Sequence, residues 1–238
     1  MPDLRPLPRL ERTADGTDTL YSPAYGQTYH SRHGALAEAR HVFLQATGTA
    51  ERLAAGRATR VLEVGFGTGL NFLLTARHAV LGGAALHYTA LERALLPAAL
   101  LARLNHAERL GGAPLRDAFA AWRRRLPVAP APGRYPDPFL PRVALDLIVG
   151  DALDASLPPD SYDAVYLDAF SPDANPELWM APFLARLCRA LRPGGRLATY
   201  SARGSVRRAL AEAGFRVEKR PGPPGKREMV VAARPEPA

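Results

Sequence analysis

Glu63, Gly65, Gly67, Thr68 and Gly69 stand together as E-V-G-F-G-T-G, the first combination in the chain able to do chemistry. Glycines let a backbone pass close to a ligand, and a helix starting just beyond them offers free N–H groups. The spacing departs from the dinucleotide fingerprint G-x-G-x-x-G, which needs a glycine where Leu70 stands. Glu92 follows at about the 20-residue offset where an acidic residue accepts hydrogen bonds from a ribose. The alternative for it is a surface carboxylate. Asp151, in G-D-A, occupies the position of an adenine contact, or equally of a cap for the turn running on from Leu153. Asp168 ends Y-L-D and leads into A-F-S-P-D-A-N-P. Ligands bind open α/β sheets outside the carboxyl ends of the strands, so Asp168 is expected to face the reacting group, and the proline-rich loop after it to form a substrate wall.

These positions need a scaffold, and the apolar patterning supplies one. Residues 60–66 (RVLEVGF) read as a strand and 70–80 as a helix; 86–92 read as a strand and 95–110 as a helix closed by Gly111 and Gly112. Further strands are expected at 143–149, 162–168 and 196–200. A helix opened by Pro176 should run to about Leu191, where Pro193-Gly194-Gly195 stops it. Residues 205–213 form a last helix, and 215–219 with 228–232 a closing hairpin. Alternation of this kind predicts an α/β, Rossmann-like sheet that is mostly parallel, seven-stranded and carries an antiparallel edge hairpin. Residues 1–59 fall outside the alternation as an N-terminal extension. Residues 60–233 form the main domain, with 113–142, rich in Pro and Arg, an inserted loop, and 234–238 a tail.

Composition narrows the classes. No apolar run reaches the roughly 18 residues of a membrane span. Pro2, Asp3, Arg5 and Pro6 make no leader, and Cys188 is the only cysteine, so a soluble cytoplasmic protein without disulfides is expected. Cys188 lies in the apolar rhythm of Phe183, Leu184, Leu187 and Leu191, which suits a buried hydrophobe rather than a nucleophile. The net charge of +8 would attract a polyanion. Only Lys219 and Lys226 are lysines, however, and such an arginine bias also arises from GC-rich coding.

The G-x-G-x-G turn resembles that of S-adenosylmethionine-dependent methyltransferases, whose ligand carries an ammonium and a sulfonium rather than a pyrophosphate, which makes Glu63 beside the turn useful. Three longer stretches are more selective: VGFGTGLNFL (64–73), LDAFSPDANPELW (167–179) and GKREMVVA (225–232). With a weaker fourth, YHSRHGALAEARHVFL (29–44), they resemble the methyltransferase part of the bacterial bifunctional enzyme that completes 5-methylaminomethyl-2-thiouridine in tRNA, in a stand-alone form. The similarity runs over 21–233.

The resemblance implies a class I methyltransferase fold and S-adenosylmethionine as cofactor, with Glu63, Gly65, Gly67, Thr68, Gly69, Asn71, Glu92 and Asp151 binding it. Neither a flavin nor a metal is expected, since only a short tail follows Ala233. It further implies tRNA as partner, no membrane, and a separate enzyme supplying the aminomethyl precursor. Asp168 would then act on the acceptor amine. Tyr29 and Phe170 stack on the base or pack in the core, with Pro172 in the same wall. Arg203, Arg207, Arg208, Lys226 and Arg227 hold phosphates or form a solvated face. A methyltransferase acting on a small amine of the polyamine kind, and a non-catalytic RNA-binding module, are the alternatives.

Overall fold

The computed structural model describes residues 7–237; the leader reading of Pro2 to Pro6 and the last residue of the tail lie outside the described residues. The main sheet is built from β4 (Thr59–Val64), β5 (Leu86–Glu92), β6 (Gly133–Leu140), β7 (Val143–Val149), β8 (Tyr162–Leu167), β9 (Leu191–Thr199), β10 (Arg216–Pro221) and β11 (Glu228–Ala233), in the order β10-β11-β9-β8-β4-β5-β7-β6. The five central strands are parallel, while β6 and the β10–β11 hairpin are antiparallel at opposite edges. From β4 the chain winds outward through β5 to β7, then returns to the other side of β4 as β8. That reversal is the switch point where such sheets open a crevice.

Period-two alternation divides the central strands between two cores. Val61, Ala164 and Tyr166 face one layer with Phe43, Phe72, Leu73 and Trp122. Leu62, Val64, Val165 and Leu167 face the other with Phe183, Leu184 and Leu187. Helix α3 (Leu70–Leu81) packs in the first layer, and α7 (Ala181–Ala190) and α8 (Gly204–Glu212) in the second. Cys188 is buried in the second layer, as its apolar neighbours suggested.

The sheet has eight strands where the sequence suggested seven. The extra one is β6, and the supposed inserted loop at 113–142 is α6 (Ala113–Arg125) followed by that strand. Leu115, Phe119 and Trp122 give α6 a buried face at helical spacing, while Pro136 and Pro138 interrupt the alternation that would have announced β6. The expected helix over 95–110 is two short pieces, α4 (Ala98–Leu101) and α5 (His106–Arg109). They part at Asn105, whose side chain accepts from the Asp18 N–H (2.8 Å) and donates to the Gly16 carbonyl (2.9 Å). The helix expected from Pro176 is a short 3₁₀ turn, Pro176–Trp179, and then α7. Strand β9 begins at Leu191 and runs through the Pro-Gly-Gly segment, which it accommodates by a register shift against β8 between Tyr162 and Ala164.

Within the N-terminal extension, residues 7–59 are described and carry regular structure. They form a small antiparallel sheet, β1 (Arg9–Arg12), β2 (Asp18–Ser22) and β3 (Gln27–Thr28), then α1 (Ala35–Glu38), a π-helical continuation Ala39–Gln45, and α2 (Thr49–Ala54). Among the described residues no helix is long and apolar enough to cross a membrane.

Candidate active site

A cavity of about 890 Å³ opens at the carboxyl ends of β4, β5 and β8. The glycine turn forms its floor. Gly65 (φ 92°) still donates to the Leu91 carbonyl, and the Asp168 N–H to the Val64 carbonyl, so the ends of β4 and β8 stay hydrogen-bonded into the site. A Cβ at Gly65 would lie 2.7 Å from the Asp168 carbonyl oxygen, and one at Gly67 (φ 53°) 3.0 Å from the Tyr29 ring. Both glycines are therefore required by close approach as well as by backbone conformation.

Glu92 is held at both oxygens: Oε2 accepts from the Gly67 N–H and Oε1 from the Ala94 N–H, each at 2.9 Å. Each oxygen keeps a further lone pair for a ligand hydroxyl, and the residue lines the cavity. Burial raises its carboxyl above the usual range against the pull of these two N–H donors. Asp151 also lines the cavity while its Oδ1 accepts from the Leu153 N–H (3.0 Å), so the capping contact exists at the mouth of the site.

Asp168 is fixed from below. The Asn71 side-chain nitrogen donates to Asp168 Oδ2 and to Glu63 Oε1, both at 2.8 Å. One amide thus ties two carboxylates together, using both of its N–H bonds. Burial pushes the Asp168 carboxyl well above the usual range; Glu38 adds to this, while Asn71 and Lys226 oppose it. Glu63 is raised by burial and then by the charge of Asp168. Sequence reading placed Glu63, Thr68, Gly69 and Asn71 among cofactor contacts, but the structure sets them behind the cavity wall. Glu63 and Asn71 underpin Asp168, Thr68 meets the His30 Nε2 at 3.3 Å, and Gly69 packs beneath Phe119.

The wall opposite is aromatic and joins distant parts of the chain. Phe170 stacks on Tyr25 (4.2 Å between centroids, 22° between planes) and meets Tyr29 edge-on. The Gln27 amide donates to Ser171 Oγ (2.7 Å) and accepts from the Ser171 N–H (3.2 Å). Tyr29, Phe170 and Lys226 line the cavity, whereas Pro172, Arg203, Arg207, Arg208 and Arg227 do not. Arg203 forms a two-pronged pair with Asp173, and Arg207 and Arg208 border a separate shallow depression with Lys219. Arg227 is exposed. Lys226 departs from the expected phosphate-facing surface: its ammonium turns inward to Glu38 Oε2 at 3.0 Å. Sequence reasoning missed Glu38, Tyr25 and Tyr200. Glu38 was within sight in the segment at 29–44, but nothing in its spacing distinguishes it from a surface helix charge.

A family model described as S-adenosyl-L-methionine-dependent methyltransferase matches residues 123–235. Over 227 residues the chain is 43% identical to the tRNA 5-methylaminomethyl-2-thiouridine biosynthesis bifunctional protein MnmC of Ralstonia nicotianae, covering 93% of this chain and 33% of that protein. Over residues 123–235 the chain is thus similar to the S-adenosyl-L-methionine-dependent methyltransferases. It spans about a third of the length of the curated relatives it matches. The chain also superimposes on the crystal structure of MNMC2 from Aquifex aeolicus with a TM-score of 0.77 and 28% identity, over 100% of this chain and 73% of that one. Spermidine synthase from Thermotoga maritima, at 14% identity and a TM-score of 0.53, shares the fold; the match covers 96% of this chain and 70% of that one.

Proposed function

We propose that this protein is a methyltransferase that N-methylates 5-aminomethyl-2-thiouridine at the wobble position of tRNA, giving 5-methylaminomethyl-2-thiouridine, in the cytoplasm and on a precursor made by a separate enzyme. The observation that carries this reading is the convergence of a buried, amide-tethered Asp168 with an aromatic wall on one cavity at the sheet's switch point. The name of the MnmC relatives supports the substrate.

Within this reading Gly65 and Gly67 let the methionine end of S-adenosyl-L-methionine lie against the backbone, Glu92 accepts its ribose hydroxyls, and Asp151 borders its base. The bound cofactor supplies an electrophilic methyl group on a sulfonium. An amine attacks only through a free lone pair, so it must arrive or become neutral. Asp168 orients it and receives the proton it sheds, which is general-base work combined with positioning. Phe170, Tyr25 and Tyr29 offer the flat faces on which an unstacked anticodon base is held. Pro172 lies half-buried in the loop that carries this wall and does not line the cavity. Arg207, Arg208 and Arg227 remain available for phosphates on the outside, whereas Arg203 would first have to leave Asp173.

The deciding experiment is nucleoside mass spectrometry of tRNA from cells lacking the gene. Loss of the methylaminomethyl nucleoside with accumulation of its aminomethyl precursor is expected; an unchanged nucleoside profile rejects the assignment. Parallel assays of the purified protein with total tRNA and with polyamines separate the small-amine alternative.

Two binding results follow. Glu92→Ala weakens cofactor binding by about 1.5–3 kcal/mol, the loss expected when hydrogen bonds to a charged acceptor disappear, and calorimetry reads it; unchanged affinity moves the ribose contact elsewhere. Affinity for tRNA falls with salt, and reversing the charge of Arg207 and Arg208 weakens it for every anticodon, lowering the salt slope by about one for each phosphate no longer neutralised. Filter binding at two salt concentrations tests this, and a salt-independent wild type makes the basic surface incidental.

A further inference from the structure

The loop between β10 and β11, part of the GKREMVVA stretch, is shaped to aim one side chain into the cavity. The Lys226 N–H donates to the Pro223 carbonyl (2.9 Å) and the Gly222 N–H to the Arg227 carbonyl (3.1 Å). The π-helical segment holds the loop from outside through His41 Nε2 and the Pro221 carbonyl, 2.8 Å apart. Gly225 (φ 82°) leaves no room for a side chain, since a Cβ there would lie 2.1 Å from the His33 ring. Lys226 is thereby delivered to the buried carboxylate of Glu38, with its nitrogen 4.1 Å from the centre of the Tyr200 ring. Tyr200 in turn donates its hydroxyl to the Ala169 carbonyl (2.8 Å), the residue after Asp168. Glu38, Asp168, Tyr200 and Lys226 all line the same cavity.

We propose that Glu38 and Lys226 are a positioning pair for the acceptor amine: Glu38 seats the Lys226 ammonium on Tyr200, beside Asp168, where its charge opposes a proton on both Asp168 and the amine. The inference rests on the methyl-transfer reading of this cavity. Methyl transfer to nitrogen needs a deprotonated acceptor and an ionised base at once. Burial and then the Glu38 charge work against the second requirement, and the fixed Lys226 cation counters them at Asp168 while also favouring the neutral amine. The seat is needed because an unheld lysine would bond directly to Asp168 and take its lone pairs. The groups facing Asp168 act in definite directions. Glu38 from α1 raises its carboxyl and Lys226 lowers it; Glu63 lies behind Asn71, and Tyr200, Tyr29 and Glu92 occupy the remaining walls.

The test has two readouts, one of which does not need turnover. Carboxyl ¹³C NMR of the free protein, with Asp168→Asn identifying the resonance, follows the Asp168 titration. Lys226→Met moves it up by about one pH unit and Glu38→Gln moves it down by about as much. Lys226→Arg restores the wild-type midpoint. In single-turnover methylation of RNA bearing the aminomethyl group, the acid limb of the pH–rate profile shifts in the same two opposite directions, with cofactor affinity within about three-fold of wild type. If the Met variant does not fold, Glu38→Gln carries the test alone. Shifts that are absent or of the same sign in both variants overturn the proposal, as does a shifted titration without a shifted acid limb. A wild type that shows the titration but never methylates the RNA overturns the substrate reading instead.

Discussion

Replacing Asp168 with Asn will slow methyl transfer by roughly 10²–10⁴-fold, the range of a general acid–base group. The substitution keeps the shape of the site, since the side-chain oxygen of the new asparagine can still accept from the Asn71 amide that now bonds Asp168 Oδ2 at 2.8 Å. It removes the charge that orients the amine and the place where its proton goes. Cofactor affinity changes far less, because Gly65, Gly67 and Glu92 are untouched. Raising the pH recovers part of the lost rate, since the neutral amine then forms without help. Single-turnover assays across pH decide the matter, and a variant within a few-fold of wild type throughout removes Asp168 from the mechanism.

Acid will loosen the protein through two buried histidines. His30 lies between Thr19 Oγ1 (2.9 Å) and Thr68 Oγ1 (3.3 Å), and His106 Nε2 bonds the Asp18 carbonyl at 2.7 Å. Burial lowers the His30 imidazole from its ordinary 6.5 to about 3 and that of His106 to about 4. Below about pH 6.5 the unfolded chain therefore takes up protons that the folded one refuses. Stability falls with pH until the folded histidines titrate near those lower values. Together the two contribute a loss of up to about 4 kcal/mol by pH 5. The raised carboxyls of Glu63, Glu92 and Asp168 act in the opposite sense, because the folded protein protonates them first. Urea unfolding at pH 7 and pH 5, for wild type and for His106→Gln, separates the two contributions: the variant must lose less stability on acidification. An equal loss assigns acid sensitivity to other groups.

How far the sequence disclosed this site depended on whether a residue's neighbours along the chain are also its neighbours in space. Gly65, Gly67, Glu92 and Asp168 sit at strand ends, where local pattern and sheet topology together dictate position. Asn71 shares the motif with the glycines, yet its role as a tether between Glu63 and Asp168 depends on a contact with a residue nearly a hundred positions away. Glu38 and Lys226 come from opposite ends of the chain, and each alone reads as an ordinary surface charge; only folding pairs the half-buried lysine with the buried carboxyl. Trp122 and Phe119 carried a helical signal, but the surrounding Pro and Arg drew attention to a loop. Strand β6 was hidden because Pro136 and Pro138 break the rule that strands avoid proline.

Those same prolines bear on how the protein coexists with copies of itself. A sheet rim with free N–H and C=O groups is a template on which another chain can pair and aggregate. At one rim, β6 lacks an N–H at Pro136 and Pro138 and slips register between Asp137 and Leu140, so it offers no regular ladder. At the other, β10 presents Arg216, Glu218, Lys219 and Arg220 and ends at Pro221. An arriving strand would meet charge on one side and missing donors on the other. The eight-stranded sheet is thus guarded at both rims against growing from one molecule into the next.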